Sequence, residues 1–168
     1  LQLHSTLYRF MPTPGGRWKA ADNEIIEKHP DGKVRVRFKA TQAHLTPIAM
    51  EQLSAGYATA IDTAQQDPLI VVPLAILDFL CIHPFRDGNG RVGRLLLALM
   101  VKQRCQLTQP WLFVSQYFEK HQSRYFDLLY QVSTQNAWNE WIQFCLEGAV
   151  AQAKETLDRC QQILHTQE

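Results

Sequence analysis

The chain has 168 residues, 46% hydrophobic and 20% charged, which is the composition of one globular domain long enough to bury its own core. Lys plus Arg is 17 against 16 Asp plus Glu, a net charge of +1, so no domain-wide basic field points to nucleic acid or to an anionic membrane. The cysteines, Cys81, Cys105, Cys145 and Cys160, form no CxxC pair and sit in or beside apolar runs, as reduced thiols of a cytoplasmic protein do. The run without a charge between Asp67 and Asp78 contains Pro73 and is too short to span a bilayer. The start at Leu1 carries no signal-peptide pattern, and the chain reads as a single domain excised from a longer protein.

In chain order, Leu3, Leu7, Phe10 and Met11 predict a short first helix, ended by the Pro/Gly-rich "MPTPGGR". Next, Val34, Val36 and Phe38 alternate with Lys33, Arg35 and Arg37, and Pro30-Asp31-Gly32 supplies turn chemistry before them, which predicts a β-hairpin with an exposed edge. Thr46-Pro47 reads as N-cap and first residue of a helix with Ile48, Leu53, Tyr57 and Ile61 inward, and Asp67-Pro68 repeats that signal for a helix reaching Ile82, with Pro73 as a candidate kink. Another helix runs from Asn89 to about Arg104. Ser115 reads as the cap of a helix bearing Phe118, Tyr125, Leu128, Leu129 and Val132 at helical spacing, and a last long helix covers Trp138 to Leu164. The fold class is mainly α, in three parts: residues 1–45 with the first helix and hairpin, a helical core over 46–135, and the long C-terminal helix over 136–168.

The chemistry concentrates in "LDFLCIHPFRDGNGRVGRLLLALM", Leu77 to Met100, where two apolar runs flank HPFRDGNGRVGR. Gly88 to Gly93 match GxGxxG, yet the preceding run is helical and no acidic residue lies between Asp87 and Glu119, so a dinucleotide fingerprint does not hold; a Walker A loop is also absent. What remains is a turn, Gly88-Asn89-Gly90, feeding a helix N-terminus whose unpaired N–H groups form an anion hole. Arg91 and Arg94, three apart on the first turn, add two cations on one face, more than a single phosphate needs. Asp87 would repel a phosphate unless a divalent cation lay between them, and Mg²⁺ held by one carboxylate plus phosphate oxygens meets that demand. His83 ends the preceding helix before Pro84 and is placed to act as a general base. A helix-end His, an Asp-Gly-Asn-Gly turn and paired Arg each have ordinary structural explanations alone; all of them within twelve residues do not.

HPFRDGNGRVGR resembles the active-site motif of the Fic family, HxFx(D/E)GNGRxxR, at every defined position. "GGRWK" is similar to the family's early segment, the hairpin with "VRFKA" to its substrate flap, and "SQYFEKHQSRYFDLL" with "WNEWIQFCLEG" to its later helices. "KATQAHLTP" stands where a Pro-rich run commonly follows the flap. The resemblance implies a Fic-type helical bundle with a hairpin flap over the site, and transfer of AMP from ATP to a Ser, Thr or Tyr hydroxyl of a protein docked on the flap edge at Arg35, Val36, Arg37 and Phe38. By matching position it implies His83 as base, Asp87 as ligand of Mg²⁺ or of Mn²⁺ in its place, and Gly88, Asn89 and Gly90 as phosphate cradle. Arg91 and Arg94 fall on the β- and γ-phosphates, and Phe85 is a buried anchor. It leaves open a relative that removes AMP or transfers another nucleotide or phosphate-containing group, and a nucleotide-binding module without catalysis.

Many members of that family are silenced by a helix bearing [S/T]xxxE[G/N], whose Glu pairs with the last Arg of the motif, here Arg94. Ser115 to Glu119 is the one match to Ser/Thr-xxx-Glu, and Lys120 follows it, so Glu119 reads as a surface residue. The expectation is an inhibitory helix or antitoxin-like partner outside this chain.

Overall fold

The computed structural model describes residues 1–28, 32, 34–63, 66–109 and 112–166. Seven helices and one two-stranded antiparallel sheet appear among them: α1 (Gln2–Leu7), β1 (Glu24–Lys28), β2 (Val34–Lys39), α2 (Thr46–Asp62), α3 (Pro68–Ile82), α4 (Asn89–Arg104), α5 (Val114–Lys120), α6 (Gln122–Gln135) and α7 (Trp138–His165). A 3₁₀ turn, Ala43–Leu45, leads into α2. The chain divides into two compact units, one of residues 1–66 and 74–95, the other of residues 67–73 and 96–168.

Every functional candidate of the motif lies in the first unit. Its helix α1 is too short to hold itself together by backbone bonds alone, and the face it buries is not the apolar one. Phe10 is 91% exposed and Met11 also faces solvent, whereas His4 and Tyr8, four apart on the inner face, are each 6% exposed. The predicted first helix through Leu3, Leu7, Phe10 and Met11 is therefore corrected: α1 ends at Leu7, Phe10 and Met11 lie beyond it, and the polar groups of His4 and Tyr8 are satisfied by the motif loop, which makes burying them affordable.

The hairpin forms as predicted. Glu24 pairs with Lys39, Ile25 with Phe38, Ile26 with Val36, Glu27 with Arg35 and Lys28 with Val34, with a register irregularity between Ile25 and Ile26. That irregularity leaves Arg37 as the extra residue of a bulge. With only two strands each is an edge, and Ile26 and Val36 present apolar side chains to solvent. Pro30, Asp31 and Lys33 lie outside the described residues, as do the side chains of Arg35 and Arg37.

Asp67 caps α3 as read: its Oδ1 accepts from Leu69 N at 2.8 Å and its carbonyl from Ile70 and Val71, with Pro68 at the first helical position. The helix continues through Pro73 to Ile82. Thr46 does not cap α2. The preceding 3₁₀ turn already delivers helical geometry, so Leu45 holds the cap position and the fully buried Thr46 hydroxyl donates back to Gln42 O at 3.1 Å. Ile48, expected inward, is exposed.

In the second unit Ser115 is likewise not a cap. Phe113 occupies that position, and one predicted helix is two, broken at His121. Phe118, Tyr125, Leu128 and Val132 are buried as the spacing predicted, with Phe118 and Tyr125 stacked 5.2 Å apart and both near Trp141 of α7. The Trp141 indole donates to Pro73 O at 3.0 Å, a bond that satisfies the polar end of a fully buried ring. Cys145 is buried among these residues and its thiol is pushed up to about 12; in the first unit burial pushes Cys81 up to about 11. Both are inert as nucleophiles. Among the described residues no helix is long and apolar enough to cross a membrane.

Candidate active site

His83 closes α3. Its N–H bonds Phe79 O at 3.0 Å and its φ is +50°, a left-handed end that helices usually give to Gly or Asn. A non-Gly residue held there costs on the order of 1 kcal/mol or more, which the surroundings must override. They do so by packing and by a ring bond: Nδ1 lies 3.2 Å from Leu80 O. A carbonyl only accepts, so Nδ1 carries the proton and Nε2 keeps its lone pair. Burial holds the imidazole below its ordinary pKa of 6.5, and the Lys19 charge adds to that against the opposing Leu80 bond and Asp87 charge. His83 is thus a neutral imidazole with a basic Nε2.

Pro84 and Phe85 are almost fully buried and carry the chain from α3 to α4. Asn89, 1% exposed, clamps them from the start of α4: Oδ1 accepts from Phe85 N at 2.8 Å and Nδ2 donates to Phe85 O at 2.7 Å. The Asn89 side chain is thus committed to loop shape, and its backbone N–H stands at the start of α4. Gly88 has φ +83°, and a Cβ there would lie 2.7 Å from the Tyr8 ring, so no other residue fits. The first backbone N–H of α4 to bond back is that of Val92, to Gly88 O at 2.9 Å; those of Asn89, Gly90 and Arg91 precede it, as the anion hole requires.

Asp87 and Arg91, four apart, form an ion pair at 2.7 Å, with Asp87 side chain 72% exposed. Tyr8 joins them: its hydroxyl donates to Asp87 Oδ2 at 2.6 Å and accepts from Arg91 Nη2 at 2.6 Å, while the guanidinium lies over the Tyr8 ring. The Tyr8 bond is the main reason the Asp87 carboxyl sits below its usual range, so the group is ionised at neutral pH. Burial and the same bond push the Tyr8 phenol up, which keeps it a donor. Arg94 is half-buried and enters no hydrogen bond or ion pair among the described residues.

Four residues outside HPFRDGNGRVGR complete the loop: Tyr8, and with it His4, Lys19 and Asn23, of which only Lys19, the last residue of GGRWK, lies in a stretch the sequence singled out. His4 stacks on Phe85 with ring centres 3.8 Å apart; its Nδ1 accepts from Gly16 N at 2.8 Å, so Nε2 bears the proton and donates to Asp87 O at 3.1 Å. Lys19, 5% exposed, donates from its backbone N to Pro84 O at 2.9 Å and from Nζ to Ile82 O at 3.0 Å and Asn23 Oδ1 at 2.9 Å. Asn23 Nδ2 in turn donates to Phe85 O at 3.1 Å. The His4 and Lys19 to Asn23 segments thus hold the backbone of residues 82 to 87. The hairpin candidates Val36 and Phe38 sit on β2 in this same unit, and its partner strand β1 starts at Glu24, right after Asn23.

The fold and loop define a mainly helical protein whose turn between α3 and α4 brings together the backbone N–H groups of a helix start, a neutral imidazole and a carboxylate. The chain belongs to the Fic/DOC family, whose model matches residues 1–101 of the 168. It is 35% identical over 94 residues to Protein adenylyltransferase fic-1 of Caenorhabditis briggsae, covering 47% of this chain and 18% of that one. A Fido domain-containing protein of Dictyostelium discoideum is 34% identical over 68 residues, covering 38% of this chain and 48% of its own. Among solved structures, a Fic family protein from Desulfovibrio desulfuricans G20 superposes with TM-score 0.74 at 24% identity, over 93% of this chain and 45% of that one. A Fic domain containing signaling protein from Bacteroides thetaiotaomicron VPI-5482 gives TM-score 0.63 at 21% identity, over 88% and 55%. The two structures establish the fold. The chain spans less than half the length of the two curated relatives it matches here.

Proposed function

We propose that this protein transfers AMP from ATP to a Ser, Thr or Tyr hydroxyl of a target protein and releases pyrophosphate. The observation that carries the reading is the tautomer of His83: a neutral, half-buried imidazole whose Nδ1 is fixed on Leu80 O and whose Nε2 is left as acceptor. A target hydroxyl placed at Nε2 loses its proton as its oxygen attacks the α-phosphorus; the new P–O bond replaces the bond to pyrophosphate, and the proton passes to the imidazole. The N–H groups of Asn89, Gly90 and Arg91 receive charge on the phosphate oxygens, with Arg91 and Arg94 beside them. The names of the Caenorhabditis relatives agree with this chemistry.

A divalent cation fits the residues present. Asp87 offers one exposed, ionised carboxylate next to the helix terminus, and Mg²⁺ takes one carboxylate plus phosphate oxygens and waters rather than an all-protein cage. Among the described residues no cluster of three or more His, Cys, Asp or Glu offers such a cage. When bound, Mg²⁺, or Mn²⁺ in its place, would neutralise phosphate charge and orient the pyrophosphate leaving group. The target docks as an extended segment on the β2 edge, aligned by main-chain hydrogen bonds.

The test is incubation of the purified protein with cell lysate and ATP labelled on either the α- or the γ-phosphate. Label retained on protein from α-labelled but not γ-labelled ATP is the expected result. Retention of the γ-label alone identifies phosphoryl transfer, and retention of neither, with ATP bound, identifies a nucleotide-binding module.

A further inference from the structure

Tyr8 stands outside the motif, on a helix end 79 residues before Asp87, yet it is the residue that ties Asp87 and Arg91 together. The three groups make a closed triangle. The Tyr8 hydroxyl donates its single proton to Asp87 Oδ2 at 2.6 Å and accepts one Nη2 proton of Arg91 at 2.6 Å; the other Nη2 proton goes to the same Oδ2 at 2.7 Å. Oδ1 takes no bond from either residue, and Arg91 keeps the donors on Nε and Nη1.

The phenol is itself fixed. Tyr8 is 6% exposed, its ring lies beside the His4 ring at 4.4 Å, its N–H bonds His4 O at 3.0 Å, and the Gly88 Cα approaches so closely that a Cβ would collide with the hydroxyl and ring edge at 2.7 Å. Asp87 and Arg91, by contrast, have side chains 72% and 43% exposed. An exposed ion pair between residues four apart does not by itself fix either side chain. A buried phenol that bonds both partners removes that freedom: it sets the plane of the carboxylate and the rotamer of the guanidinium before any ligand arrives.

We infer that Tyr8 is a positioning residue of this site, which anchors Asp87 Oδ2 so that Oδ1 is presented to the divalent cation and holds Arg91 with its remaining donors toward the phosphates. This rests on the proposed function, in which Asp87 is the cation ligand. Hydrogen bonds to a ligating carboxylate orient it, and their loss lowers metal affinity or activity by about 10- to 100-fold.

The experiment is calorimetric titration of ATP into wild type, Tyr8→Phe, Tyr8→Leu and Asp87→Ala, once with excess Mg²⁺ and once in EDTA, with thermal melts of each. The readout is the ratio of the two dissociation constants, which reports how much the cation strengthens nucleotide binding. Tyr8→Phe keeps the ring and loses only the hydroxyl, so it should melt near wild type, bind ATP in EDTA within about 3-fold of wild type, and lose about 10-fold or more of the Mg²⁺ enhancement. Tyr8→Leu should lose the same enhancement if the phenol's bond, and not its ring, is what matters. An unchanged ratio in a folded Tyr8→Phe overturns the inference, as does a parallel loss with and without Mg²⁺, which marks Tyr8 as structural support only. If Asp87→Ala keeps the full Mg²⁺ enhancement, the cation assignment fails and the role of Tyr8 with it; if Asp87→Ala loses it while Tyr8→Phe does not, the assignment stands and only the inference falls.

Discussion

Asn89 is the residue on which the shape of the loop most depends, and Asn89→Ala is expected to unfold the site before it unfolds the protein. The side chain is 1% exposed and makes two bonds to one residue, to Phe85 N at 2.8 Å and Phe85 O at 2.7 Å. After truncation Phe85 O still has Asn23 Nδ2 at 3.1 Å, but Phe85 N–H, on a residue 2% exposed, has no replacement. A net hydrogen bond is worth about 1 kcal/mol and an orphaned buried donor costs about 1–3 kcal/mol, so the variant should lose roughly 2–4 kcal/mol. For a chain of this length that is a fall of about 5–15 °C in Tm. Because His83 is two residues from Phe85 and held in a left-handed conformation, release of the loop should also displace Nε2; misplacement by about 1 Å can cost on the order of 10²-fold in rate. The assay is thermal unfolding and label transfer on the same preparations. Asn89→Asp is the control: it keeps the acceptor for Phe85 N but turns a second oxygen toward Phe85 O, so its carboxyl pKa should rise. A group whose folded pKa is raised contributes stability below its unfolded pKa and loses it as pH climbs, so this variant should approach wild-type stability only in acid. Asn89→Ala with unchanged Tm and unchanged rate would refute the reasoning.

Three further outcomes follow from the geometry. Val36→Pro removes an N–H from the β2 edge and should impair target modification while ATP affinity, measured by calorimetry, stays within about 2-fold; equal loss of both would indicate damage to the unit instead. The rate of transfer should be flat above pH 6.5 and fall only below it, because burial and Lys19 hold His83 under its ordinary 6.5 and the base must be neutral; an acid limb centred above 6.5 contradicts this. His4 is also held low by burial, and protonating its Nδ1 would break the bond from Gly16 N. Since both folded-state values lie below the unfolded one, the unfolded chain binds more protons under pH 6.5, and urea unfolding should show stability declining as pH falls beneath 6.5.

What the sequence made legible was short-range. Asp67-Pro68 carries its own capping chemistry, the alternation over Val34 to Phe38 fixes a strand, and HPFRDGNGRVGR contains within twelve residues the base, the turn and the helix start. What stayed hidden depends on tertiary contact. His4, Tyr8, Lys19 and Asn23 reach the loop from 62 to 83 residues away, and nothing local marks His4, Tyr8 or Asn23. Around α1 the local pattern pointed the wrong way: the helix stops at Leu7, apolar Phe10 and Met11 beyond it face solvent, and the partners of the buried His4 and Tyr8 lie on another element. The one available signal was GGRWK, similar to the family's own segment, whose last residue is Lys19. Thr46 and Ser115 had the composition of caps, but a preceding 3₁₀ turn in one case and a helix starting at Val114 in the other left them no free amides to serve.

The central claim is that the neutral Nε2 of His83 directs AMP onto a protein hydroxyl. It is tested most directly by peptide mass spectrometry after incubation with ATP and Mg²⁺, comparing wild type with His83→Ala at matched ATP occupancy. The account predicts an AMP-sized increment on a Ser, Thr or Tyr side chain in wild type, and in His83→Ala a rate lower by about 10² to 10⁴-fold with ATP affinity largely kept. An AMP increment that accumulates in His83→Ala at the wild-type rate, or an increment of phosphate in place of AMP, would contradict it.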